Sequence, residues 1–309
     1  MDASPHFDMQ LRSAAFAWLR EQVERRGDDV LPRTMLLDGF IFMEQRVSLL
    51  SPAQGIFKPR VLPEIPLSIT TTSNSPYDDS FGSDGLLAYR YRGTDPGHRD
   101  NVGLRLAMSR GIPLVYFHGV VPGKYLAVWP VFIVGDDPDR LTFSVAVDDA
   151  QTMLGTHSDL SGAGIAADEA SRRIYITRQV RQRLHQRGFR EKVMDAYRRQ
   201  CAMCRLKHAE LLDAAHIIGD KEEGGDPVVP NGLALCKIHH AAFDMNILGV
   251  SPDYRILVRE DILHETDGPM LRHGLQELQE SRLIVPRRTD LRPDRDRLAL
   301  RFERFLKAG

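Results

Sequence analysis

The chain has 309 residues, 42% hydrophobic and 27% charged, with 24 Gly and 18 Pro. That composition excludes disordered and fibrous classes, and at a soft ~150 residues per domain it allows two ordinary hydrophobic cores. The formal charge of −1 (41 Lys+Arg against 42 Asp+Glu) conceals a basic block, because between Arg172 and Lys207 twelve Lys/Arg stand against Glu191 and Asp195 alone. Such a block inside a neutral chain points to a polyanion at that place. No stretch approaches the roughly 18–20 apolar residues of a spanning helix, and Met1–Gln10 carries no apolar secretion core, so a cytoplasmic protein without a membrane partner is expected.

In chain order, Leu11, Ala15, Trp18, Leu19 and Val23 recur at helical spacing and predict an opening amphipathic helix over 9–26, with Asp8 as its cap and Gly27 as its stop. Short apolar or alternating runs follow: Gly39–Phe42, Leu67–Thr71, Leu86–Tyr91, Pro113–Phe117, Tyr125–Val134 and Leu141–Val147. Separated by Gly, Pro and Asp, they predict a curved sheet or small barrel. Trp18 and Trp129 are expected in the core rather than on a binding surface. The small, polar stretch 151–171 has linker composition. The expected division is a first domain over 1–150, a linker over 151–177 and a second domain over 178–309. Two helical segments, Arg178–Arg187 and Phe189–Arg199, broken at Gly188, open the second domain. A closing helix is expected where Leu298, Phe302, Phe305 and Leu306 interleave with arginines. No internal repeat is present, and the fold class is α+β.

All three cysteines of the chain fall into one pattern. Cys201-Ala202-Met203-Cys204 puts two thiolates on one knuckle, and Cys236-Lys237-Ile238-His239 repeats the spacing with His in the second place. Cys201, Cys204, Cys236 and His239 are therefore the expected ligands of a structural Zn²⁺, which favours thiolate and imidazole in closed tetrahedral geometry and supplies folding free energy to a small domain.

Between the two halves of that set stand Leu212-Asp213-Ala214-Ala215-His216-Ile217 and Pro230-Asn231-Gly232-Leu233, and after them His239-His240-Ala241-Ala242-Phe243-Asp244. This AAHI…NGLALC…HHxxFD succession, spanning about residues 193–258, resembles the HNH, or ββα-metal, endonucleases. The resemblance implies DNA phosphodiester hydrolysis, with His216, Asn231 and His240 on the three positions that name the family. His216 is then the general base that deprotonates water, as suits a neutral imidazole. His240 holds a divalent cation that stabilises charge on the phosphate and the leaving 3′ oxygen, and Asn231 holds the loop that carries His216. On a helix His240 and Asp244, four apart, share a face, which makes Asp244 the second ligand. Many relatives carry Asp immediately before the first His. Ala215 stands there in this chain, leaving Asp213 as a possible substitute. One imidazole and one carboxylate suit Mg²⁺ or Mn²⁺, with Ni²⁺ or Zn²⁺ also compatible. The basic segments upstream offer Arg181, Arg183, Arg187, Arg190 and Lys192 to DNA phosphates.

Within residues 74–117, Tyr77, Asp78, Asp79, Gly85, Tyr89 or Tyr91, Gly93, Asn101 and Leu104 follow one another in that order before the strand Pro113–Phe117. The succession resembles the SRA (SET and RING-associated, PUA-like) base-flipping domains. It departs from them where Tyr77 directly precedes the acids and where Arg92 replaces the usual Thr. The resemblance implies that Tyr77 sandwiches a flipped base with Tyr89 or Tyr91, and that Asp79, or else Asp78, accepts from a cytosine exocyclic amine. Arg90 and Arg92, on the other face of the same strand, would grip phosphate. Together the two halves resemble the McrA-type, modification-dependent (type IV-like) restriction endonucleases of phage defence. That resemblance implies double-stranded DNA carrying a modified base, such as 5-methylcytosine, as the partner, and a homodimer, since a double-strand break takes two nicks. A non-catalytic, zinc-stabilised DNA-binding protein and a nonspecific HNH DNase are the alternatives.

Overall fold

Leu114–Phe117 is apolar at every position because both faces of the strand it forms are covered. The computed structural model describes residues 5–72, 86–148 and 163–308. The chain divides into two units, Met1–Leu184 and His185–Gly309. In chain order the first holds α1 (Pro5–Arg26), β1 (Val30–Pro32), α2 (Arg33–Asp38), the hairpin β2 (Phe40–Phe42) and β3 (Gln45–Val47), β4 (Ile56–Phe57), β5 (Ser68–Thr71) and β6 (Leu87–Arg90). There follow α3 (Arg99–Arg110), β7 (Leu114–Val121), β8 (Lys124–Asp137), β9 (Thr142–Val147) and the first part of α4 (Ala163–Ala196).

One sheet runs in the order β4-β5-β7-β8-β9-β6, with β1 also paired to β8. β5 and β7 are parallel, and the other pairs are antiparallel. β8 serves two partners in turn, β1 through Lys124–Leu126 and β9 from Val131 onward. Register shifts between Leu114 and Tyr116 and between Ile133 and Gly135 are bulges that bend it, so the sheet is a curved half-barrel. Side chains of β7 alternate between two cores. Leu114, Tyr116 and Val120 pack with Leu104 and Ala107 of α3 and Leu184 of α4. Val115 and Phe117 pack with Leu11, Ala15, Phe16 and Leu19 of α1, where Trp18 and Trp129 are also partly buried, as expected.

α1 inserts a charge into this packing. Arg12 is fully buried, pairs with Asp8 one turn earlier, and donates to the carbonyl oxygens of Pro66 and Pro113, both at 2.9 Å. Those prolines lead into the parallel pair β5 and β7, so one guanidinium fastens the helix to the start of each strand. Asp8 is thus no cap: the helix begins at Pro5, and Asp8 sits in its first turn facing Arg12. Gly27, at φ +61°, ends the helix as expected.

Two further expectations are corrected. Residues 163–177, expected as linker, are the start of α4, because the Gly/Ser reading underweighted the helix formers Ala166, Ala167, Glu169 and Ala170. The helix also passes unbroken through Gly188, which is buried. A glycine costs a helix interior about 1 kcal/mol, which packing of the adjacent Phe189 and Val193 in the core offsets. The real stop comes after Ala196, where Arg198 and Arg199 take φ of 55° and 52°.

In the second unit a hairpin of β10 (Leu212–His216) and β11 (Gly232–Cys236) leads into α5 (Lys237–Asp244), then β12 (Leu248–Val250), β13 (Ile256–Val258), α6 (Glu260–His264), α7 (Pro269–Gly274) and the closing helix α8 (Arg295–Ala308). α8 buries Leu298 and Phe305 and leaves Leu306 exposed. It docks closely because Phe305 lies on the bare backbone of Gly249, where an added Cβ would stand 2.5 Å from the ring. Among the described residues no helix is long and apolar enough to cross a membrane.

The Arg12 clamp carries a stability prediction. Arg12→Met keeps the aliphatic stem but leaves Asp8 and the carbonyls without their donor, and should cost about 3–5 kcal/mol, the range for breaking a buried ion pair. Both tryptophans of the chain, Trp18 and Trp129, belong to the first unit, so urea unfolding followed by tryptophan fluorescence reports it directly.

Candidate active site

The ligand atoms of Cys201, Cys204, Cys236 and His239 lie within 4.8 Å of one another. Local structure converges them. Cys201 and Cys204 sit on a turn held to β11 by the Ala202 amide donating to the Ala234 carbonyl at 2.7 Å, Cys236 ends β11, and His239 stands in the first turn of α5. His239 Nδ1 approaches Cys201 Sγ to 3.4 Å and Cys236 Sγ to 3.2 Å, while its Nε2 is 2.7 Å from the Gly274 carbonyl. A proton on Nε2 donated to that carbonyl leaves the Nδ1 lone pair facing the thiols, the orientation a metal-ligating imidazole takes. Three sulfurs and one nitrogen fit Zn²⁺ with no place left for a substrate. Among the described residues this is the one group of three or more Cys, His, Asp or Glu that converges in this way.

The hairpin places the expected base. His216 ends β10 opposite Gly232 of β11, and its ring stacks on Phe189 of α4 at 4.0 Å and 17°. The stack depends on Gly232. A Cβ there would meet Val193 at 2.5 Å and Phe189 at 2.8 Å, so only a bare backbone lets the phenyl ring slide beneath the imidazole. His216 Nε2 is buried without a hydrogen-bond partner. Leaving such an atom unpaired costs about 1–3 kcal/mol, so the site favours a polar occupant. Burial holds His216 below the ordinary imidazole value, so the ring is neutral near pH 7.

Asn231 is fully buried. Its Nδ2 donates to the carbonyls of Ile218 at 2.9 Å and Asp226 at 3.1 Å, and its Oδ1 accepts from the Ile218 amide at 2.9 Å. It closes the loop between β10 and β11 and is far from free to take part in chemistry.

On α5, His240 Nε2 stands 3.3 Å from Asp244 Oδ2, one turn on, and Nδ1 stands 3.6 Å from Asp213 Oδ2. The two nitrogens of an imidazole point apart, so Asp213 and Asp244 address opposite edges of the ring. Asp213, expected as a possible substitute ligand, thus faces the ring edge opposite to Asp244. Asp213 holds His240 above the ordinary imidazole value, burial acting the other way. His216, His240 and Asp244 line one cavity of about 280 Å³ together with Asp220, Glu222, Arg301 and Arg304. A second cavity of about 340 Å³ shares His216 and Asp220 and adds Arg187, Phe189, Arg190 and Asp213.

The remaining expectations fare unevenly. Tyr89 and Tyr91 are only 5% and 7% exposed and belong to the sheet core. Tyr91 stacks on Phe143 at 4.5 Å and bonds Asp136, and the Tyr89 hydroxyl donates to the Thr70 carbonyl at 3.3 Å. Neither ring keeps a face for a base, which corrects their assignment to a base sandwich. Tyr77, Asp78 and Asp79 lie outside the described residues. Arg92 pairs with Asp100 at 2.7 Å, and Arg90 is exposed. Arg183 is bound to Asp29, and Arg190 donates to the Leu212 carbonyl at 3.0 Å, so these two brace the fold. Arg181 and Lys192 are exposed, and Arg187 lines the second cavity. Sequence reasoning missed Phe189, Arg301 and Arg304. The one signal available was the i, i+4, i+7 spacing of Arg297, Arg301 and Arg304 in α8.

A family model described as HNH endonuclease matches residues 201–251, which contain all four Cys/His ligands as well as His216, Asn231, His240 and Asp244. No curated protein matches the chain. Among solved structures, "Modification dependent TagI restriction endonuclease" is 16% identical, with a TM-score of 0.27 over 77% of this chain and 81% of that one. "Structure of the Type IV phosphorothioation-dependent restriction endonuclease ScoMcrA" is 16% identical, with a TM-score of 0.20 over 58% of this chain and 46% of that one, so the chain spans less than half of it. The Cys/His geometry leads to a direct test. Elemental analysis should find one Zn²⁺ per chain, and Cys236→Ser should abolish it and unfold the second unit, while the tryptophan fluorescence of the first stays native.

Proposed function

We propose that the chain is an HNH DNA endonuclease that acts as a modification-dependent restriction enzyme. The observation that carries the nuclease reading is the single cavity lined by a neutral, partnerless imidazole, His216, and an imidazole–carboxylate pair, His240 and Asp244. His216 accepts the proton of the attacking water. Phe189 and Gly232 fix its ring, and Asn231 fixes the loop behind it. Asp213 turns His240 so that Nε2 joins Asp244, a nitrogen and an oxygen that suit Mg²⁺ or Mn²⁺. A divalent cation bound there supplies Lewis-acid stabilisation of the charge on the phosphate and the leaving 3′ oxygen.

Base reading is assigned to the first unit on the sequence resemblance over residues 74–117, with Tyr77, Asp78 and Asp79 as the pocket residues and 5-methylcytosine or a derivative as the ligand. One cation site per chain cuts one strand, so a double-strand break calls for two copies acting together as a homodimer.

His216→Ala and His240→Ala should each lower cleavage by 10²-fold or more, in the range of about 10²–10⁴ for general acid–base catalysis, with zinc content and DNA binding retained. Undiminished cleavage by either variant overturns the nuclease reading. Because His216 must be neutral to act and burial depresses its pKa, the rate should rise with pH through a limb below the ordinary value of about 6.5 and then level off. At saturating divalent cation, where deprotonation of His240 no longer limits the rate, a limb above that value assigns the base elsewhere. Plasmids differing only in cytosine modification, digested side by side, should be cut at unequal rates, and equal rates leave a nonspecific DNase.

A further inference from the structure

α8 carries Arg297, Arg301 and Arg304 as a stripe facing α5 and the loop between β10 and β11. The outer two are neutralised: Arg297 donates to Asp226 at 3.2 Å, and Arg304 holds Glu222, with Nη1 to Oε1 at 3.1 Å. The middle one is not. Arg301 donates through Nη2 alone, to the carbonyl oxygens of Phe243 at 2.6 Å and Asp244 at 3.2 Å, and its guanidinium carbon lies 4.8 Å over the Phe243 ring. Among the described residues it has no ion pair with a carboxylate, and burial pulls its pKa down. This half-buried cation is held by carbonyls rather than by a carboxylate in contact, with Asp244 and Glu222 attracting it from further off, and it lines the same cavity as His216, His240 and Asp244.

Hydrolysis of a phosphodiester forms a bond from the water oxygen to phosphorus and breaks the bond to the 3′ oxygen. The water proton passes to His216, and the departing oxygen takes a proton from solvent. Between these events negative charge accumulates on the non-bridging oxygens, and a planar guanidinium with nitrogens to spare is suited to meet it. We propose that Arg301 is a further catalytic residue, donating from Nε and Nη1 to a non-bridging oxygen of the scissile phosphate. This rests on the nuclease reading above. Anchoring Nη2 on the two carbonyls at the end of α5 gives the guanidinium a fixed aim while leaving its other nitrogens for substrate. Its place in α8, beyond the matched residues 201–251, makes it a contribution of this chain's C-terminal helix.

Arg301→Gln removes the charge and leaves a polar side chain, and rescue by Arg301→Lys or by added guanidinium separates this role from a merely structural one. On the plasmid that the wild type cleaves, this variant should lose about 10²-fold in kcat, the cost of one transition-state donor. Zinc content and DNA affinity without divalent cation should stay as in the wild type. Arg301→Lys should lose less, and guanidinium ion added to Arg301→Ala should restore part of the rate. Arg301→Gln cleaving within about threefold of the wild type overturns the proposal. So does a loss that tracks zinc content or DNA affinity and that neither lysine nor guanidinium relieves. If His216→Ala and His240→Ala are inactive while Arg301→Gln is active, this proposal alone fails. If both His variants also cleave, the nuclease reading fails with it.

Discussion

The second unit depends on the grip of three thiols on one side of α5. His239 and His240 are neighbours on that helix, so their side chains diverge by about 100° around its axis. His239 faces Cys201 and Cys236, with its far nitrogen tied to Gly274. Pinning it there fixes the rotation of the whole short helix, and with it the direction of His240 and of Asp244 one turn further on. A helix of eight residues has little intrinsic stability and no side-chain cap at its start, so its orientation is set by what it is fastened to. The Cys/His cluster thereby sets the direction in which His240 and Asp244 point.

Two imidazoles with different surroundings occupy the site. His216 lies against Phe189 and is held neutral by burial, whereas His240 stands between two carboxylates that favour charge on its ring. The two rings are thus biased oppositely, His216 towards the neutral form and His240 towards the charged one, and a cation at His240 Nε2 would have to displace the proton that its carboxylates favour. The bare backbone of Gly232 belongs to this arrangement as much as either histidine. It leaves the space that Phe189 fills, and Phe189 supplies the apolar face on which His216 stacks.

Placements that depend on local spacing were legible in the sequence: His240 and Asp244 one turn apart, the cysteines and His239 converging from paired x2 spacings, and Asn231 at the return of the hairpin. Roles that depend on what a face meets were not. Tyr89 on β6 and Tyr91 just beyond it both enter the sheet core, but period two is silent on whether such a side is a pocket or a core, and the packing of Phe143 on Tyr91 decides for the core. Asp213 lies three residues from His216 in sequence, yet its partner is His240, across the gap from β10 to α5. Arg301 is separated by 57 residues from Asp244, whose carbonyl it holds, and no local pattern reports such a contact. The helix through 163–177 was missed for a different reason. Its small residues serve helix and linker alike, and only the packing of Ile176, Val180 and Leu184 on the sheet selects one.

A nucleic-acid strand is a row of anions at fixed spacing, so on the proposed reading cations along the site would neutralise its phosphates. In the second unit arginines line both cavities that share His216, with carboxylates among them. One cavity carries Arg301 and Arg304, the other Arg187 and Arg190, and His216 and Asp220 line both. Most of these cations already have internal tasks, Arg304 on Glu222 and Arg190 on the Leu212 carbonyl. Their value to a bound strand is therefore a preset field rather than a set of loose side chains that must first be ordered, and side-chain ordering is a cost that pre-organisation avoids. Arg301 differs in being anchored on backbone carbonyls rather than paired with a carboxylate, and it lines the same cavity as His216.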